Sequence, residues 1–245
     1  MSGDGQPEQW EYRSAGDLDQ GIADRLGSVR REPGLISWCT CNATRLLARL
    51  YLRIVHRLGV DGTEHLPEKP PAIVIANHCS HLDAAVLLAA LPGGLRRDAF
   101  PVSADDYFFC TTRRSLAATL LIGALPIKRG KAVRHALGDL RKRLTGGATT
   151  LILFPEGTRS EDGTLGEFKP GLGMLTAGLD VPIIPARIIG THAALPKGSR
   201  FAKPHRITVR FGEAMCFKDT PNKRDGWEQT TAECRAAIEA LGNQP

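Results

Sequence analysis

The sequence predicts a single α/β domain: a mostly parallel central sheet flanked by helices, with an N-terminal amphipathic helix in front of it. Short β-branched runs such as Ala72-Ile73-Val74-Ile75-Ala76 alternate with stretches of helical period, the pattern of strands joined by crossover helices. Strands of this kind are covered on both faces and therefore apolar along their length. The length of 245 residues, with 42% hydrophobic and 24% charged residues, suffices for one full core.

Residues 1–35 carry seven acids and four bases, are rich in Gly, Asp and Gln, and show little periodicity. They read as a loose polar N-terminal extension. A basic amphipathic helix is expected over 36–58. Arg45, Arg49, Arg53 and Arg57 recur every four residues beside His56, and Leu46, Leu47, Leu50, Tyr51, Ile54, Val55 and Leu58 fill the opposite side. Such a helix either packs its apolar face on the core or lies on a membrane surface with its arginines among lipid phosphates. Gly59 is expected to end it, and Asp61-Gly62 with Pro67 to Pro71 to supply turns before the first strand.

From there to the C-terminus, 59–245 reads as one domain. A strand over 72–76 leads to a helix from about Leu82 to Ala90, stopped by Pro92-Gly93-Gly94. Next come a strand near 99–103, a helix near 114–122, a strand over 125–127, a helix over 131–144 and a strand over 149–154. A helix near 171–177, strands over 182–186 and 207–211, and a closing helix over 225–241 complete the order. In parallel sheets of this kind the ligand crevice lies at the carboxyl ends of the strands.

The net charge of +6 is uneven: 1–35 carry −3, so the remainder carries +9. A basic body favours anionic partners such as phosphorylated metabolites, coenzymes or anionic lipid. The aromatics Trp10, Trp38 and Trp227 are not interleaved with basic clusters, which speaks against nucleic acid. The six cysteines are scattered without metal-ligand spacing, so no metal site is expected and a reducing cytoplasm is. Met1 to Tyr12 is polar and acidic, unlike a secretory signal, and no window reaches the roughly 18 apolar residues of a spanning helix.

Four stretches carry polar chemistry or wall it in. Asn77-His78-Cys79-Ser80-His81-Leu82-Asp83 follows the first strand, which makes His78 a candidate general base and Asp83 its orienting carboxylate. Ser80 and Asp83 also fit a helix-capping pattern, and that reading stays open beside the first. His81 is expected to face away from the crevice. Gly123 to Arg129 is a second strand end, where Arg129 is either a phosphate-binding fork or a surface arginine. In Phe154-Pro155-Glu156-Gly157-Thr158-Arg159-Ser160, Gly157 lets backbone N–H groups approach an anion, with Thr158 and Arg159 as donors. Glu156 is expected to accept a substrate hydroxyl or brace Arg159. Val181-Pro182-Ile183-Ile184-Pro185-Ala186 offers a wall and no reactive group. A Gly-x-Ser-x-Gly elbow, a Walker loop and a dinucleotide fingerprint are all missing.

These four stretches, in this order, resemble the glycerolipid acyltransferase family, which includes 1-acylglycerol-3-phosphate acyltransferases. The family's His-x-x-x-x-Asp motif falls on His78 and Asp83, and its third block on Phe154-Pro155-Glu156-Gly157-Thr158-Arg159. In the second block Pro126 stands where an aromatic is usual. The resemblance covers about Gly59 to Ala214, and makes 59–245 an acyltransferase domain. It implies that His78, oriented by Asp83, deprotonates the free hydroxyl of 1-acylglycerol-3-phosphate. That hydroxyl then takes a fatty acyl group from acyl-CoA or acyl carrier protein, giving phosphatidic acid. Arg129, Glu156, Gly157, Thr158 and Arg159 would bind the phosphate-bearing head.

No cofactor is implied, the acyl thioester being a substrate. Another lysophospholipid, glycerol 3-phosphate, a glycolipid or a hydroxylated metabolite remains open as acceptor, as does a non-catalytic anionic-lipid-binding protein. A lipid acceptor favours peripheral membrane contact through 37–58, and with the reducing cytoplasm that the cysteines suggest the expected place is the cytoplasmic face of the membrane.

Overall fold

The computed structural model describes residues 35–104, 125–127, 133–147, 149–199 and 201–243. The expected helix near 114–122, Arg129 and nearly all of the 1–35 extension lie outside them.

Helix α1 (Leu35–Val55) stops before the expected end, because Arg57 adopts a left-handed φ of 47°. The Leu58 N–H then bonds back to the Leu52 carbonyl at 3.2 Å, closing the helix as a left-handed cap does. Gly59 therefore does not end a helix but opens strand β1 (Gly59–Asp61), where only turns were expected. A 3₁₀ turn (Thr63–His65) leads to β2 (Ala72–Ala76), α2 (Asp83–Ala90) and α3 (Gly93–Arg97). Pro92 ends one helix as expected but also caps the next, since its fixed φ of −63° suits a helix start. Then follow β3 (Ala99–Ala104), β4 (Leu125–Ile127), α4 (Val133–Thr145) and β5 (Thr150–Leu153). The described chain closes with α5 (Gly171–Thr176), β6 (Ile183–Ile189), α6 (Thr191–Ala194), β7 (Thr208–Phe211) and α7 (Arg224–Gly242).

The strands form one sheet in the order β1-β7-β6-β2-β5-β3-β4. Every neighbouring pair is parallel except β6 and β7. Strand β2 lies inside, pairing Ile75 with Leu153 of β5 and with Pro185 of β6. Its side chains alternate between two cores. Ala72, Val74 and Ala76 meet Leu52 of α1 and Val86 and Leu87 of α2 on one face. On the other, Ile73 and Ile75 meet Leu140 of α4, Leu172 of α5 and Ile238 of α7. Burial on both faces is why the whole of β2 is apolar.

Helix α5 meets α7 so closely that a Cβ on Gly173 would strike the Trp227 backbone, which explains a glycine inside a helix. Helix α1 packs on α2 through the fully buried Leu52. On the same helix Leu46, Leu47, Leu50, Tyr51 and Ile54 stay exposed, Ile54 at 74%. His56, grouped in the sequence with the arginines, is buried instead, facing the His205 carbonyl at 3.1 Å and the Tyr51 hydroxyl at 3.3 Å.

Candidate active site

The loop leaving β2 is fixed at its first residue. Buried Asn77 donates its amide to the Ile188 carbonyl at 3.0 Å and accepts the Ile188 N–H at 2.7 Å, tying β2 to β6. Ser80, also buried, donates its hydroxyl to the Leu195 carbonyl at 2.8 Å and accepts the Leu82 N–H at 3.2 Å. Between them sits His78, whose side chain is 22% exposed, while that of Asp83 is fully buried.

His78 Nδ1 lies 2.8 Å from Asp83 Oδ2. The same oxygen accepts the N–H groups of Cys79 at 2.7 Å and Ser80 at 2.8 Å. An oxygen that accepts two backbone donors carries no proton of its own, so Nδ1 donates to it. The Nε2 lone pair is thereby left to take a proton. The capping pattern expected from Ser80 does not form as such: α2 opens at Asp83 itself, with Leu82 as its N-cap and no side-chain cap. One Asp83 oxygen instead braces the turn before the helix and meets the imidazole. The His78 ring stacks on Phe154, centroids 4.2 Å apart and planes 20° from parallel. The sequence placed Phe154 at a strand end and in the third block, with no role of its own.

The loop after β5 wraps the same histidine. Glu156 is 4% exposed. Its Oε1 accepts the His78 N–H at 2.8 Å and its Oε2 the Gly166 N–H at 3.1 Å. Each oxygen thus accepts a main-chain donor, a role the sequence alone does not give Glu156. Burial raises the Glu156 pKa, and the two N–H bonds and the nearby His78 pull against that rise. Gly157, at a φ of 69°, makes the turn that sends the chain back, its N–H donating to the Phe154 carbonyl at 3.1 Å. Thr158 is exposed and Arg159 half-buried. The Ser160 N–H donates to the His78 carbonyl at 2.8 Å, bringing Arg159 beside the histidine loop.

His81 lies within electrostatic reach of Arg159 and His78. Burial first, then the Arg159 guanidinium and His78, lower its pKa to about 4, so it is a neutral imidazole among the other site groups. Cys79 donates to or accepts from the Thr191 hydroxyl at 3.3 Å, and burial followed by the Asp83 charge pushes its thiol up to about 11. The fourth stretch forms β6 and its approach, with Val181, Ile183, Ile184 and Ala186 all in the core. No cluster of His, Cys, Asp or Glu among the described residues has the arrangement of a metal site.

Residues 57–189, more than half of the chain, match the model of the Acyltransferase family, a span that includes His78, Asp83 and 154–160. Among similar proteins, the chloroplastic 1-acyl-sn-glycerol-3-phosphate acyltransferase LPAT1 of Arabidopsis thaliana is 30% identical over 158 residues, covering 63% of this chain and 42% of that protein. The 1-acyl-sn-glycerol-3-phosphate acyltransferase alpha of Mus musculus is 29% identical over 159 residues, covering 63% of this chain and 53% of that one. The chain thus spans about half the length of the curated relatives it matches. The crystal structure of the 1-acyl-sn-glycerophosphate (LPA) acyltransferase PlsC from Thermotoga maritima superposes with a TM-score of 0.63. It is 21% identical, covering 84% of this chain and 80% of that one, a likeness of fold. The chain belongs to the Acyltransferase family.

Proposed function

We propose that the protein is an O-acyltransferase that moves a fatty acyl group from a thioester to the free hydroxyl of 1-acylglycerol-3-phosphate. The observation that carries the reading is the 2.8 Å contact between His78 Nδ1 and the buried Asp83 carboxylate, beside a loop that bears Arg159. Similar proteins named for this reaction support the acceptor.

In the proposed reaction His78 Nε2 takes the proton of the acceptor hydroxyl as its oxygen attacks the thioester carbonyl. Asp83 stabilises the imidazolium that forms. The tetrahedral adduct collapses, the C–S bond breaks, and the leaving thiolate takes the proton from His78. An ester and a free thiol result, without a covalent acyl-enzyme. Arg159 and Thr158, on the turn made by Gly157, hold the acceptor phosphate, and Arg129 joins them. Fixing hydroxyl, base and thioester together supplies a large share of the rate. The donor is acyl-CoA or acyl carrier protein, and no cofactor takes part.

The enzyme works at a membrane surface, with the exposed Leu46, Leu47, Leu50, Tyr51 and Ile54 of α1 in the acyl boundary and Arg53 among headgroups. Among the described residues no helix is long and apolar enough to cross the bilayer. The cytoplasmic face is proposed on the scattered cysteines, of which Cys79, Cys216 and Cys234 are free thiols. Flotation with anionic liposomes tests this part, and binding unchanged by Ile54→Ser with Leu47→Ser refutes it.

The test of the activity is thiol release from acyl-CoA or acylated carrier protein against lysophosphatidic acid, other lysophospholipids and glycerol 3-phosphate, with the product identified by mass. Turnover with lysophosphatidic acid that is lost in His78→Ala is expected. Turnover retained in a folded His78→Ala variant removes the base assignment. Failure with every acceptor leaves a lipid-binding protein.

A further inference from the structure

We propose that Glu156 is a positioning residue: by bridging the backbone N–H groups of His78 and Gly166, it fixes the main chain from which the His78 imidazole projects. The inference rests on the acyltransferase reading of His78 and separates Glu156 from the groups that hold the acceptor head.

The argument begins with the sheet. Ile75 and Leu153 are register partners on neighbouring parallel strands. His78 and Glu156 each follow three residues later, so the two chains leave the sheet side by side at equal height. Both polar backbone groups of His78 are then held by the β5 loop. Its N–H goes to Glu156 at 2.8 Å, and its carbonyl accepts the Ser160 N–H, also at 2.8 Å. The imidazole lies against Phe154 from the same loop. Backbone, ring face and Nδ1 are all constrained, which leaves the position of Nε2 little freedom.

A carboxylate is the side chain this junction requires. Two N–H donors converge on it from His78 and Gly166, and only an acceptor at both ends satisfies both. A glutamine matches one donor and turns its NH₂ toward the other. The approach at the far end depends on Gly166 having no side chain, since a Cβ there would lie 2.8 Å from Glu156 Oε2. A buried carboxyl whose two oxygens already accept main-chain donors also has no donor to offer a phosphate. The loop it closes is pinned further along: Ser160 and Thr164 donate to Asp162 Oδ1, and Lys197 pairs with Glu161 at 2.6 Å. Residues 156–166 therefore act as a clamp around one histidine, with Glu156 as the tie at its base.

The test compares Glu156→Gln, Gly166→Ala and Arg159→Ala by steady-state kinetics with lysophosphatidic acid and acyl-CoA, together with amide hydrogen exchange read at His78 and Gly166. For the first two variants kcat is expected to fall about 10²-fold, the scale of a misplacement near 1 Å, with the acceptor KM within about twofold of wild type. Arg159→Ala is expected to raise KM. In Glu156→Gln at least one of the His78 and Gly166 amides is expected to exchange faster, because a glutamine accepts from only one of them, while the Ile73 to Ile75 amides keep their protection. A raised KM with kcat retained in Glu156→Gln overturns the proposal and returns Glu156 to the acceptor head. Unchanged exchange at both His78 and Gly166 in Glu156→Gln overturns it as well. A wild-type protein that turns over no thioester removes the enzymatic reading, and the exchange comparison then decides the brace alone.

Discussion

Replacing Asp83 with Asn keeps the shape of the side chain and removes its charge. In the native protein Asp83 Oδ2 accepts from His78 Nδ1 and from the N–H groups of Cys79 and Ser80, at 2.7 to 2.8 Å. Hydrogen bonds to a charged group contribute about 1.5–3 kcal/mol and neutral ones about 0.5–1.5, so three conversions weaken the fold by about 3 kcal/mol. The other oxygen, Oδ1, has no hydrogen-bond partner among the described residues. The Asn NH₂ has to go there if the carbonyl keeps the three donors, which leaves a buried donor unmatched. The chemical effect should be larger than the structural one. An amide does not stabilise an imidazolium, and in serine-protease triads the equivalent exchange lowers kcat about 10⁴-fold. A loss on the order of 10³–10⁴-fold is expected here by the same reasoning. The assay is thiol release at saturating acceptor, paired with urea unfolding to show the variant folded under assay conditions. Activity within tenfold of wild type in a folded Asp83→Asn protein would refute the assignment of Asp83 as the orienting carboxylate.

An NMR titration should find His81 with a midpoint near pH 4, below its ordinary 6.5, and Arg159→Ala should raise that midpoint by removing a cation. Because the folded value lies below the unfolded one, His81 contributes stability above pH 6.5 that is lost as the pH falls toward 4, visible as a declining urea midpoint. Among the described cysteines, a thiol reagent applied to the native protein should label exposed Cys216. It should spare Cys79 and Cys234, whose thiols burial pushes up to about 11 and about 12; equal labelling of all three contradicts that burial. Leu52→Ala should cost about 2–5 kcal/mol in urea unfolding, since Leu52 is 1% exposed, whereas Ile54→Ala at 74% exposure should be nearly silent there.

Elements buried on both faces were legible in the sequence, because burial demands apolar runs wherever the rest of the chain lies. Strand β2 is bounded as its composition predicts. Strand β1 was not legible: Gly59-Val60-Asp61 has no pattern of its own and is extended because β7 lies beside it. The direction of β7 was hidden for a related reason. A run such as Thr208–Phe211 looks the same pointing either way, and no long crossover helix but only the four-residue α6 precedes it. The periodicity of α1 identified its apolar residues but not that Leu52 would be buried while Leu46, Leu47, Leu50, Tyr51 and Ile54 stay exposed. At the site, His78 and Asp83 were legible as a pair because their partnership is local. The partner of Glu156 was not, since the two residues meet only through strand pairing 78 positions apart.

That pairing has a bearing on which changes in chain length the protein can absorb. Residues on neighbouring parallel strands advance together, so a residue inserted between Ile75 and His78, or between Leu153 and Glu156, displaces one loop against the other by roughly 3.3 Å. That is more than the reach of a hydrogen bond, and it would separate the histidine from its tie while leaving the helices packed. An insertion in the exposed turn at Gly146-Gly147, which enters the sheet from its opposite end, carries no such penalty. Drift in length among sequences of this architecture should therefore collect at the ends where strands begin, and vanish from the few residues where β2 and β5 end.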